Sequence, residues 1–150
     1  MSRVKDKGLV ENFLKRDGRL NRWRYFKRSM FVAFVSFMIL FCIIIADVNA
    51  LGQLSDFGIL LIKIFSALMQ VPIFCLMVRR LQDMNKNETL ACICITLDLS
   101  MTFFIQNDFL TTEPSSLENI LNVVNGLIAL YIFLCPGTRG RNKYGEDPLA

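Results

Sequence analysis

Hydrophobic residues in this chain are gathered into four runs, covering residues 26–46, 57–78, 90–105 and 117–135, with polar residues confined to the stretches between them. No polar stripe recurs at helical spacing, so none of the runs has a water-facing side of the kind a surface helix needs. As a helix at 1.5 Å per residue, the first run is about 31 Å long, which matches the hydrocarbon core of a bilayer. The third run, about 24 Å, is short for an upright crossing and implies local thinning of the bilayer. The pattern predicts an all-α membrane protein, a four-transmembrane-helix bundle. Residues 1–21 form an N-terminal segment, 22–135 the membrane domain and 136–150 a tail rich in glycine and basic residues.

Local signals refine the elements. Leu9, Val10, Phe13 and Leu14 share one helical face ahead of Lys15 and Arg16, the pattern of a short interfacial helix. Gly18 breaks that segment, and Asn21 is suited to cap a helix starting at Arg22. Trp23, Tyr25 and Phe26 supply aromatics at the membrane boundary. Ser29, Ala33 and Ser36 in the first run, and Asn122, Asn125, Gly126 and Ala129 in the fourth, form small or polar faces for helix packing. Pro72 predicts a kink in the second run, and Pro136-Gly137 ends the fourth.

Charge sets the expected orientation. Ten basic residues precede or open the first run, three lie in 79–86 and three in the tail, whereas the two alternate connections have acids and no Lys or Arg. Positive residues mark the cytoplasmic side, so both termini are expected there, in a multi-pass protein of the bacterial inner membrane. No cleavable signal peptide is expected, because the first apolar run starts late and is too long. With 53% apolar residues and a mean hydropathy of +0.42, a soluble surface is excluded.

The chain has no histidine, which removes the commonest general base and metal ligand together. Its five cysteines all lie in apolar runs, and Cys92 and Cys94 point about 200° apart on a helix, so they form no chelating pair. Neither catalytic nor metal-binding residues nor a cofactor site is expected, and the reading is of a non-enzyme. Lys63 and Asp98 are the two charges well inside the runs, at a similar expected depth, and form a candidate intramembrane ion pair. Arg79 and Arg80 are candidate ligands for anionic lipid or a partner's phosphate, with an Arg79–Asp83 helical pair as the structural alternative. The Gly-rich tail has the composition of a backbone nest for phosphate, or of a compact turn against the middle loop, and lacks a P-loop ending. Basic residues beside a bilayer need no nucleic acid, and none is expected.

Gly18-Arg19-Leu20-Asn21-Arg22, Arg79-Arg80-Leu81-Gln82-Asp83 and the tail from Pro136 to Pro148 together resemble a bacterial inner-membrane family that includes the YhaH and YhaI proteins, a domain of unknown function. The resemblance runs from about Phe13 to Pro148 and implies a small polytopic membrane protein with no established activity. The family usually has histidine where Gln82 stands, and a Ser-Gly-Trp-like group where Asn87-Glu88-Thr89 stands. All three motifs fall on the expected cytoplasmic side. They are expected to fold into one cluster of Arg19, Arg22, Arg79, Arg80, Asp83, Gly137, Gly140, Asn142, Tyr144 and Asp147, with the aspartates balancing the arginines. Such a cluster would bind anionic lipid or a protein partner, making the protein a scaffold or accessory factor that could form a homo-oligomer. The alternative is a small transporter or channel subunit using Lys63 and Asp98.

Overall fold

The computed structural model describes residues 8–105 and 116–148. The expected acidic connection between the third and fourth runs lies mostly outside the described residues. Among those described, the chain is helical: a π-helix at Val10–Leu14, then α1 (Arg22–Leu51), α2 (Asp56–Asp83), α3 (Thr89–Ser100), a second π-helix at Met101–Ile105, and α4 (Ser116–Leu134). Of these, α1, α2 and α4 are long and apolar enough to cross a membrane, whereas the apolar helix Thr89–Phe103 is shorter. Their apolar side chains face outward: only 6%, 17% and 6% of the most apolar stretches of α1, α2 and α4 are buried. Water would not tolerate that surface, so the protein is a multi-pass membrane protein whose solvent along the helices is lipid.

Helix ends follow from residue chemistry. Asn21 caps α1, its side-chain oxygen accepting from the Arg24 N–H at 2.9 Å. At the far end α1 continues through residues expected to be loop and stops at Gly52, whose φ of 75° gives the left-handed cap. Asp47, inside α1, accepts from the Ser55 N–H at 2.6 Å and the Ser55 hydroxyl at 2.9 Å. Ser55 in turn caps α2 by accepting from the Gly58 N–H at 3.0 Å. The first acidic connection is therefore a four-residue turn, Gly52 to Ser55, tied by side chains, not a ten-residue loop.

The middle stretch differs in the same way. α2 runs on to Asp83, so most of the polar stretch from Arg79 is helix, and the turn narrows to Met84–Glu88 with Asn85 left-handed at φ 57°. α2 is the hub, packing against α1, α3, α4 and both π-helices. Its packing is uneven. Of its ten buried residues, eight lie between Cys75 and Asp83, at the end that carries the basic motifs.

Candidate functional site

At that end three distant segments tie into one polar knot centred on Asp83. The Asp83 carboxylate receives Arg19 Nε at 3.1 Å and Arg80 Nη1 at 2.6 Å, and all three residues are buried. A carboxylate has sites for both guanidiniums, and a buried charge needs such partners. The main-chain carbonyl of Asp83 accepts twice from Thr138, through its N–H at 2.9 Å and its hydroxyl at 3.0 Å. Gly137 passes so close to the Asp83 carboxylate that a Cβ there would overlap it.

Arg19 lies in a ring of carbonyls from the tail. Its Nη1 donates to the Gly140 and Gly145 oxygens and its Nη2 to the Thr138 oxygen. The tail holds this shape through an antiparallel bridge between Asn142 and Gly145, with N–H···O distances of 3.0 and 3.1 Å. Asn142 also donates to the Gln82 carbonyl at 3.0 Å and accepts from the Tyr144 N–H at 2.9 Å. Asp147 accepts from the Gly140 N–H at 2.9 Å. The groups directed at the centre are thus carbonyl oxygens, which favour a cation and repel phosphate; the cation they hold is Arg19. A phosphate nest, which requires inward N–H groups, is not what the tail forms.

Arg80 is fully buried and caps α4. Its Nε donates to the Ile132 carbonyl at 3.1 Å and its Nη2 to the Cys135 carbonyl, while Arg22 reaches the Leu134 carbonyl at 3.4 Å. The final carbonyls of a helix lack intrahelical partners, and arginines supply them here. The expected Arg79–Asp83 pair is replaced by Arg80–Asp83, three residues apart. Arg79 instead donates to the Glu11 carbonyl at 3.1 Å, and its own carbonyl accepts from the Leu20 N–H. Together with Arg28 donating to the Asn12 carbonyl and Cys75 to the Leu14 carbonyl, this pins the N-terminal π-helix against α1 and α2. Arg79 and Arg80 are therefore packing groups and not free ligands for a phosphate.

Around the knot lies a rim of exposed cations: Lys15, Arg24, Lys27, Lys86, Arg139, Arg141 and Lys143. Arg141 faces Glu146 at 3.7 Å with both side chains well over half exposed, a contact of little energetic weight. Arg16 pairs with Glu88, whose hydrogen bond raises the Arg16 pKa. Beneath the N-terminal π-helix, between α1 and α2, is an apolar cavity of about 260 Å³ lined by residues including Phe13, Phe31, Val35, Met69 and Pro72.

Sequence reasoning named Arg19, Arg80, Asp83, Asn142 and the tail glycines. It missed Thr138 and the helix-capping carbonyls, because backbone acceptors leave no signal in residue identity. It also placed Lys63 against Asp98, and that pair is not formed. Asp98 accepts from Asn125 of α4, and no ion pair joins it to Lys63 among the described residues. No group of metal-ligating side chains occurs among the described residues, and all five cysteines are free.

Apolar helices that expose their side chains, closed at one end by a buried arginine–aspartate knot, define a multi-pass helical membrane protein held together by its polar end. The chain belongs to the family described as "Protein of unknown function (DUF805)", which matches residues 13–146 and so takes in all three knotted segments. Searches of curated proteins and of solved structures returned no match.

Proposed function

We propose that this is a non-enzymatic accessory protein of the bacterial inner membrane, crossing it four times with both termini in the cytoplasm, and that its knotted end binds anionic phospholipid. The observation that carries this reading is the division of labour among the basic residues. Arg19, Arg79 and Arg80 are consumed internally, while the rim from Lys15 to Lys143 points outward at the level where α1, α2 and α4 leave the apolar region. Each such cation near an anionic surface is worth about 1 kcal/mol. The apolar cavity beside the rim is suited to part of an acyl chain. Basic residues concentrated at this end also support its cytoplasmic placement.

The test is lipid retention in native lipid particles, read by mass spectrometry. Wild-type protein is expected to keep anionic phospholipid enriched over the bulk membrane. The triple variant Arg139→Gln/Arg141→Gln/Lys143→Gln should lose at least half of that enrichment while remaining folded. Equal retention by both, or retention of a protein instead of lipid, would overturn the lipid reading.

A further inference from the structure

Asp98 and Asn125 face each other between α3 and α4, with Asn125 Nδ2 donating to Asp98 Oδ1. The other half of the amide is anomalous: Asn125 Oδ1 is buried and has no hydrogen-bond partner. That oxygen shares a carbon with the donating nitrogen, so it belongs to the same short edge as the bond to Asp98. Leaving such an acceptor unsatisfied costs about 1–3 kcal/mol. An ionised carboxylate has no proton to offer it; a protonated one has one. Turning the amide over sets its oxygen against a carboxyl oxygen, and that arrangement requires the same proton.

The charges near Asp98 do not supply an alternative. Among the elements packed on α3, α2 carries Asp56 in its first turn, an acid that cannot neutralise a carboxylate, Lys63 within its apolar stretch, which makes no ion pair with Asp98, and Arg79, Arg80 and Asp83 at its far end. α4 carries Glu118, two turns from Asn125, and the π-helix Met101–Ile105 carries no ionisable group. The Thr102 hydroxyl donates to the Asp98 main-chain carbonyl, not to its carboxyl. A bare carboxylate at membrane depth costs at least about 2.5–3.5 kcal/mol. One proton removes both penalties together.

We infer that Asp98 and Asn125 form a proton-binding site inside the membrane, in which neutral Asp98 donates from Oδ2 to Asn125 Oδ1 and closes a cyclic acid–amide pair. The proton adds to a carboxylate oxygen and no covalent bond breaks. This inference rests on α3 lying within the bilayer, and it is separate from lipid binding at the knot.

Infrared spectroscopy of the protein in lipid nanodiscs at neutral pH tests it. A protonated carboxylic-acid carbonyl band is expected in wild type, absent from Asp98→Asn and shifted in Asn125→Leu. Asp98→Asn should keep wild-type thermal stability, since two amides form the same cyclic pair, whereas Asn125→Leu should lower it. A wild-type spectrum identical to that of Asp98→Asn in the acid region would overturn the proton site. A water-soluble maleimide that labels Thr96→Cys, in a background with the native cysteines replaced by alanine, would instead overturn the membrane placement of α3.

Discussion

Asp83 illustrates how far one side chain can be committed. It neutralises Arg19 and Arg80, and its main chain anchors Thr138, so three segments depend on it. Removing one member of a buried ion pair costs about 3–5 kcal/mol, because the partner is left charged and uncompensated. Asp83→Ala is expected to destabilise by at least that amount in an unfolding titration in mixed micelles. Gly137→Ala tests the same contact from the other side. Its methyl group would meet the Asp83 carboxylate, and a loss of about 1–3 kcal/mol is expected by the same titration. At this scale the sequence was informative about identity and poor about pairing. Arg19, Arg80 and Asp83 stood out as charges beside apolar runs, yet the helical pair that spacing suggested was Arg79–Asp83, four residues apart, whereas Asp83 meets Arg80, three residues away. Gln82, where the resemblance expected histidine, has a buried Oε1 with no hydrogen-bond partner.

Among the elements, the long apolar runs were the most legible, since membrane length and composition are properties of the run itself. Their ends were not. α1 and α2 each extend about five residues past the expected boundary, because Asp47 and Arg80 find partners that let a polar residue remain helical. Asp47 does so at the turn with Ser55, where Gly58 lies against its carboxylate with no room for a Cβ. Gly58→Ala should therefore lower thermal stability in nanodiscs, and Asp47→Ala/Gly58→Ala should lose less than the two single changes predict together. The third run was legible as short, and the structure divides it between α3 and a π-helix starting just beyond Asp98. The exchange of Lys63 for Asn125 as Asp98's partner was beyond sequence reasoning, which saw chain depth but not which helix face met which.

For the whole molecule, sidedness is the property on which the proposed function depends. With the native cysteines replaced by alanine, Gln53→Cys in the α1–α2 turn should react with an impermeant maleimide on spheroplasts, and Arg139→Cys only after permeabilisation. The reverse pattern would turn the basic rim away from the cytoplasm. The molecule is also unevenly built: its tightly packed residues gather at one end, while the opposite ends of α1 and α2 are joined by a single side-chain clasp. Motion of the helices relative to each other is therefore expected to be greatest away from the knot.

The carbonyl ring around Arg19 has a consequence for biosynthesis. Arg19 leaves the ribosome well over a hundred residues before Thr138, Gly140 and Gly145, the residues whose carbonyls it binds. Until they arrive, that guanidinium has no ring to enter. Emergence of the tail and latching of the first helix to the rest thus become a single event, and a chain interrupted before Thr138 would carry an exposed cationic hook.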